Sequence, residues 1–327
     1  RRERQLADRQ DLFTLRTPKP LAVERPQIEK FVCDSIAKVL SAVEGSPYPL
    51  ASTPQRSAPV DIAISVHDSA RILDRCLKSL LPTLGKEDRV WLDHPAGHEE
   101  EFSRLIHAFG QSWPQTIRPT NAETAPFRVS DHGMFELSDR DLVLLDSGAQ
   151  VSDGWIEHMQ ASLDRNSEAG IICPISDNAT ILSVLPAVSE HDRGHLVEAA
   201  ACYTVGDCQL PTASGFCMLI RRALIEEIGG SCRVFEPGHG AVYDLSMRAI
   251  RAGWDIIAAE RACVFQYPGS CNFAEERRGP LWRNSQLTLD RIWPEFGPLV
   301  QAWWGENPLR SKTEHLAWRG DSRSGVL

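Results

Sequence analysis

Acidic and histidine side chains follow several short apolar runs of this sequence, a common location for enzyme chemistry. In "LVLLDSGAQVSDGW", four apolar residues lead into Asp146 and the chain then turns. His67 and Asp68 follow "VDIAISV", and Asp93 follows "RVWL". Carboxylates bind hard cations such as Mg²⁺ and Mn²⁺, and they also serve as general bases. A second metal-binding acid is absent because Gly148 occupies its position. Asp146 is therefore either half of a weakened metal site or a carboxylate held by nearby backbone amides.

The elements that position these side chains alternate between short apolar strands and amphipathic helices. "SARILDRCLKSLL" is typical of a helix with one apolar face and with Ser69 as a candidate N-cap, and "EEEFSRLIHAF" and "DGWIEHMQASL" are similar. This alternation predicts an α/β fold with a mostly parallel central sheet flanked by helices. Ligands of such sheets bind beyond the carboxyl ends of the strands, so we expect the strand-end residues to line one cleft. His67 and Asp68 could equally cap the following helix.

Composition divides the chain into three regions. Residues 1–59 contain an amphipathic helix that ends near Gly45 and then a linker rich in Pro and Ser. Residues 60–273 carry the alternating strands and helices, and residues 274–327 predict two or three short helices packing on that domain. Four of the five tryptophans in the third region either enter the core or form a carbohydrate-stacking face: Trp282, Trp293, Trp303 and Trp304.

Bulk composition excludes several classes of protein. The chain has 327 residues and a net charge of -9, and an acidic surface repels nucleic acid phosphates. No apolar run approaches the ~20 residues of a transmembrane helix. The nine cysteines include no C-x-x-C pair, so they indicate buried thiols in a reducing compartment. We therefore expect a cytoplasmic protein, either free or peripheral at the inner face of a membrane.

Six segments in the same order resemble the family 2 glycosyltransferases, which have the GT-A fold. "VDIAISVHDSARILDRCLKSLL" is similar to the opening strand and helix of that family, and "RVWLDHPAG" to its second strand. "DLVLLDSGAQVSDGWIEHM" resembles the segment that carries the D-x-D motif. "CPISDNATILSV", "SGFCMLIRRALIEEIGG" and "FEPGHGAVYDLSMRAIRAGW" resemble later motifs, so the resemblance spans about residues 60–273.

The resemblance implies a nucleotide-sugar site at the carboxyl edge of the sheet. In that family the D-x-D acids hold a divalent metal, Mn²⁺ or Mg²⁺, that binds the diphosphate and offsets charge on the leaving group. By this analogy Asp146 contacts the metal and diphosphate. The nucleotide sugar would further be bound by His67, Asp68, Asp93, Ser214 and Gly215.

The sequence departs from the family at positions that carry chemistry. Gly148 replaces the second D-x-D acid, and Ala241-Val242 replaces the acidic pair that supplies the general base. Neither replacement can accept a proton. A histidine near the end of the family's domain is Gln266 here.

Three other residues are candidates for the missing base. Glu236 and His239 lie just before Ala241-Val242 and could reach an acceptor, or they could be solvated loop residues. Asp244 follows the pair, where it could instead cap or orient the helix.

Two hypotheses follow for function. The first is an inverting glycosyltransferase of the hexosyltransferase type, active in polysaccharide biosynthesis, that transfers a sugar from a nucleotide sugar to a glycan, lipid-linked or protein acceptor. The second is a catalytically inactive GT-A pseudo-transferase that serves as a binding or scaffolding module beside another transferase domain or subunit. The segment "GHGAVYDL" separates the two hypotheses, because it lacks the acidic pair that would supply the general base. Such a base contributes about 10²–10⁴-fold in rate.

Overall fold

The computed structural model describes residues 53–66, 69–92, 99–117, 139–187, 189–202, 205–230, 239–267 and 280–324. The helix predicted near residues 27–45 lies outside these ranges. In the described residues the strands are β1 (Asp61–Ser65), β2 (Arg89–Leu92), β3 (Thr116–Ile117), β4 (Leu142–Asp146), β5 (Ala149–Val151), β6 (Ala169–Ile175), β7 (Cys208–Gln209), β8 (Cys217–Ile220) and β9 (Asp255–Gln266). The helices are α1 (Ala70–Leu80), α2 (Glu99–Ser112), α3 (Trp155–Arg165), α4 (Arg193–Cys202), α5 (Arg222–Ile228), α6 (His239–Arg251), α7 (Pro280–Ile292), α8 (Phe296–Glu306) and α9 (Arg310–Ser324).

The strands form a mostly parallel sheet in the order β3-β2-β1-β4-β8-β6-β9-β5, with β7 paired to β9. β1, β2, β3 and β4 are mutually parallel, as are β6 and β9. β8 runs antiparallel to both β4 and β6. The main strands therefore end at one common edge, and β8 begins there, which confirms the predicted α/β sheet.

Continuous apolar runs explain why the central strands are buried on both faces. Every residue of β1, β4 and β6 is buried, as expected for strands covered by helices on both sides. Helix α1 packs through a stripe that includes Leu73, Cys76, Leu77 and Leu80. Ser69 occupies its N-cap position without a side-chain hydrogen bond, so backbone geometry rather than a hydroxyl cap begins this helix.

The end of the predicted linker packs on the sheet domain. The Arg56 guanidinium donates 2.9 Å hydrogen bonds to the Glu157 carboxylate and to the Thr83 carbonyl. The Ser57 amide donates to Gln160 Oε1 at 3.1 Å. Residues from Thr53 onward therefore belong to the same compact unit as the sheet.

Three helices form the described part of the C-terminal region, α7, α8 and α9. Helix α9 is held by Lys312, whose fully buried ammonium donates to the Ala200 carbonyl at 2.8 Å and to Glu260 Oε2 at 3.1 Å. Burial lowers the pKa of Lys312, and the neighbouring Glu260 carboxylate opposes this shift. Within the described ranges no helix is both long and apolar enough to cross a membrane.

Candidate functional site

Asp146 lies at the carboxyl edge of the sheet, between the end of β1 and the start of β8. It pairs in register with Ser65, and its backbone amide donates to the Phe216 carbonyl at 2.9 Å. The next amide, of Ser147, donates to the Ser65 carbonyl at 3.0 Å. These bonds fix the turn after β4 from both sides, as expected for the turn that carries the predicted site.

The Asp146 carboxylate organises the turn that it begins. Its Oδ1 atom accepts a hydrogen bond from the Gly148 amide at 2.7 Å, and the side chain is 5% exposed. This is the backbone-amide contact that we considered as an alternative to metal binding.

The turn after β4 lies beside the end of β9. The Tyr267 amide donates to the Gly148 carbonyl at 2.9 Å, and Ala149 pairs with Gln266. The Gln266 backbone amide in turn donates to Asp177 Oδ1 at 2.8 Å. Asp177 follows β6 within "CPISDNATILSV", so the ends of β4, β6 and β9 meet at the predicted edge.

A buried arginine, which the sequence reasoning missed, connects these strand ends. Arg193 begins α4, and its guanidinium contacts Gln150 Oε1, donates to the Gln266 carbonyl at 2.9 Å and lies 3.5 Å from Asp177 Oδ2. Within the described part of the chain, Arg193 Nε and Gln266 Oε1 are buried without a hydrogen-bond partner. Asp177 stood inside a quoted family segment, but no sequence pattern distinguished Arg193.

The loop before β8 reaches the same edge and packs on α6. Ser214 Oγ accepts from the Phe216 amide at 3.5 Å, and the preceding Ala213 amide donates to Ser246 Oγ at 3.0 Å. A Cβ atom built on Gly215 would lie 3.1 Å from Val242 Cγ2. A larger residue here would require Val242 to shift by a few tenths of an ångström.

The positions of the missing acidic pair are filled by packed apolar side chains. Ala241 is 2% exposed and packs in a cluster with Trp293 and Phe296, which lie on and near the C-terminal helices. Val242 is 5% exposed and belongs to the main core. The first turns of α6 thus contribute hydrophobic burial where the family resemblance implies a base.

Asp244 is engaged in contacts between helices. Its Oδ2 atom accepts from Arg248 Nε at 2.8 Å, and its Oδ1 atom accepts from Trp293 Nε1 at 2.9 Å. The side chain is buried. The Arg248 bond lies within α6, and the Trp293 bond ties α6 to the segment directly after α7. Both bonds favour the helix-orienting role over the catalytic one.

Five of the predicted site residues lack a described side chain. His67, Asp68, Asp93 and Glu236 lie outside the described ranges, and His239 is described only as the first residue of α6. Their assignments to nucleotide binding and to catalysis stay predictions.

The described residues fit a divalent metal only if substrate phosphates supply the rest of its ligands. No group of three His, Cys, Asp or Glu side chains that could hold a metal occurs in the described ranges. Asp146 supplies a carboxylate at this edge, and the Asp177 oxygens contact Gln266, Ser176 and Arg193. Mg²⁺ commonly binds through one or two carboxylates together with substrate phosphates, so this donor set allows such a shared site.

Comparison with known proteins identifies solved structures with a similar fold. No protein-family model matches the sequence, and no curated protein matches it significantly. The mannosyltransferase PcManGT from Pyrobaculum calidifontis, in complex with GDP-Man and Mn²⁺, is similar at TM-score 0.52 and 14% identity. That similarity covers 92% of this chain and 87% of PcManGT. GalNAc-T7, with UDP, GalNAc and Mn²⁺, has TM-score 0.48 and 12% identity over 81% of this chain and 58% of its own.

The fold is therefore the GT-A fold of glycosyltransferases, as the motif order predicted. This assignment rests on the sheet topology and on the similarity to PcManGT. A shared fold does not by itself establish a shared activity, so function depends on the site.

Proposed function

We propose that this protein binds a nucleotide sugar at the carboxyl edge of its sheet and transfers the sugar to an acceptor. The observation that carries this proposal is the convergence of the Asp146 turn with the loop containing Ser214 and Gly215. A 2.9 Å hydrogen bond from the Asp146 backbone amide to the Phe216 carbonyl joins these two segments. In open α/β sheets this edge is where ligands bind.

In the proposed reaction an acceptor hydroxyl attacks the anomeric carbon and inverts it, while the nucleoside diphosphate leaves. Asp146 faces the diphosphate, and Ser214 and Gly215 border the acceptor. A divalent ion, Mn²⁺ or Mg²⁺, would be held by Asp146 and phosphate oxygens and would offset charge on the leaving group. The proton of the acceptor hydroxyl passes to a general base, for which Glu236 and His239, which precede Ala241-Val242 in the sequence, are the candidates. The acceptor is a glycan, a lipid-linked sugar or a protein.

A specific observation favours a second candidate, a pseudo-transferase that binds without turnover. Ala241 and Val242 are buried in apolar clusters, so the acidic pair has been replaced by packing. Asp244 is committed to Arg248 and Trp293. Such a domain would act as a binding or scaffolding module beside an active transferase domain or subunit.

Two measurements separate the candidates. Ligands that bind the native state raise the melting temperature, by an amount equivalent to ~2.7 kcal/mol at a concentration of 100 Kd. We expect one member of a panel of UDP, GDP and their sugars to raise it, with a larger rise in Mn²⁺. Asp146→Asn should remove that rise, whereas the exposed Asp290→Asn should retain it. A flat panel at millimolar ligand would contradict donor binding in both candidates.

Turnover is measured as nucleoside diphosphate release with candidate acceptors. Release that is lost in Asp146→Asn supports the transferase. Donor binding with no release from any acceptor class supports the pseudo-transferase.

A further inference from the structure

A cavity of about 460 Å³ lies between the loop after β6 and the helices α8 and α9. Its apolar lining comes from Ile181 and Val184 of the loop and from Leu309 before α9. All three side chains are buried. The volume falls within the roughly 300–1,000 Å³ of small-molecule sites, which combine apolar walls with a few placed polar groups.

Trp304 lines this cavity and is unusually accessible for its type. It is 46% exposed, although large aromatic side chains are highly buried on average. Its neighbour Trp303 contacts it in a T-shaped arrangement, with ring centroids 5.5 Å apart. Trp303 is itself anchored, because its Nε1 atom donates to the Gln209 carbonyl at 2.9 Å. The exposed indole therefore packs edge to face on a side chain that is itself hydrogen-bonded.

Polar side chains complete the lining. Arg310, Thr313 and Glu314 follow one another at helical spacing on α9, and Asn307 stands at the turn before it. Asn307 Oδ1 accepts from the Leu309 amide at 3.2 Å, which leaves its amide N–H groups as donors. Among the residues that the structure describes, no hydrogen bond or ion pair satisfies the Arg310 guanidinium or the Glu314 carboxylate.

This combination fits a polyhydroxylated ring better than an ion or a purely apolar ligand. An aromatic face can cover the C–H face of a pyranose, while the amide, hydroxyl, guanidinium and carboxylate groups can bind its hydroxyls. One positive and one negative side chain line the cavity, so it offers no net charge to a strongly charged ligand.

We propose that this cavity, the Trp304 pocket, binds one ring of a neutral saccharide. The inference goes beyond the proposed transfer reaction, because binding here needs neither a donor nor a catalytic base. The loop after β6 connects the two places. It carries Asp177 at the sheet edge and Ile181 in the pocket, and it closes through a 2.9 Å bond from the Val184 amide to the Ser176 carbonyl. A glycan held in the pocket would therefore be anchored beside that edge in either candidate function.

The test is saturation-transfer NMR with neutral disaccharides: maltose, cellobiose, mannobiose, lactose and N,N′-diacetylchitobiose. We expect saturable binding of at least one of these probes. Trp304→Ala should weaken it about tenfold or more, because the stacking surface is removed. Arg310→Ala should weaken it less. Leu287→Ala on α7, which removes a side chain that is 62% exposed and does not line the pocket, should leave it unchanged.

The outcomes separate this proposal from the proposed function. Loss of binding in Trp304→Ala with an unchanged melting temperature supports the pocket, whatever the nucleotide panel shows. No saturable binding of any disaccharide overturns the proposal. Binding that survives Trp304→Ala and is displaced by UDP or GDP also overturns it, because that sugar would occupy the sheet edge.

Discussion

Gly215 and Val242 lie so close that a Cβ atom on the glycine would be 3.1 Å from Val242 Cγ2. Gly215 belongs to the loop expected to border the acceptor, and Val242 occupies one of the two positions where the family resemblance implies a general base. Ser246 bridges the same loop and helix, because its Oγ donates to the Val242 carbonyl at 2.7 Å and accepts from the Ala213 amide. The loop and the helix are thus joined by packing and hydrogen bonds at the position where a base is missing.

Gly215→Ala should destabilise the protein by about 1–2 kcal/mol, because overpacking forces Val242 to move. Val242→Ala in the same chain should relieve the clash, giving a coupling of at least ~0.5 kcal/mol in a double-mutant cycle measured by urea unfolding. Gly194→Ala is the control, since its Cβ would meet no atom within 4 Å. Additive effects of the two substitutions would contradict the contact.

Asp244→Ala should cost about 2–3 kcal/mol, because Arg248 and the buried Trp293 indole each lose a charged acceptor. Asp244→Asn should cost less, since its amide oxygen can still accept one of these bonds. Asp290→Ala, at the exposed surface of α7, should lie within about 0.5 kcal/mol of the parent protein. An Asp244→Asn protein of normal stability that had lost sugar transfer would instead point to a catalytic role.

Lys312→Met should destabilise the protein by about 3 kcal/mol, because it leaves the buried Glu260 carboxylate without its cation. Glu260 would still accept hydrogen bonds from the Val205 and Gly206 amides. Adding Glu260→Gln should recover part of the loss, as removal of a whole buried pair is often nearly neutral. Lys78→Met tests the same change at an exposed site. Chemical denaturation of these three variants and the parent protein measures these differences, and no recovery in the double variant would contradict the pairing.

Alkaline pH should weaken the fold through its buried thiols. Burial raises the pKa of Cys263 from 9.0 to about 12. The Cys263 thiol stays protonated to higher pH in the folded state than in the unfolded state. The stabilisation that this thiol contributes is therefore complete below pH 9 and is lost as the pH rises toward 12. The loss is at most ~1.4 kcal/mol per pH unit. Cys263→Ala should reduce the slope of unfolding free energy against pH, whereas the exposed Cys202→Ala should leave it unchanged.

Local sequence patterns predicted much of the sheet and its edge. The apolar runs that became β1, β2, β4 and β6 are long enough to show burial on both faces without knowledge of their partners. A strand-end carboxylate in a parallel sheet must lie at the carboxyl edge, so the position of Asp146 followed directly. The absence of acids at Gly148 and Ala241-Val242 was also visible in the sequence.

The partners of the site residues could not be predicted in the same way. Gln266 lies 73 residues after Arg193 and 89 residues after Asp177, and these residues meet because β6 and β9 pair and α4 begins beside their ends. Two tryptophans of the C-terminal region show the same limit. Trp293 is buried and donates a hydrogen bond to Asp244, whereas Trp304 lines an open cavity. Both tryptophans lie in similar segments that are interrupted by proline.

The sequence by itself therefore determined the fold class, the edge at which ligands should bind and the acids that are missing there. Only the tertiary structure decided which of the remaining polar groups are committed to the scaffold and which face a cavity. Periodicity reports the burial of each element separately. Hydrogen-bond partners, exposure and cavities depend instead on contacts between elements far apart in the chain, and these exist only after the sheet and its covering helices have packed.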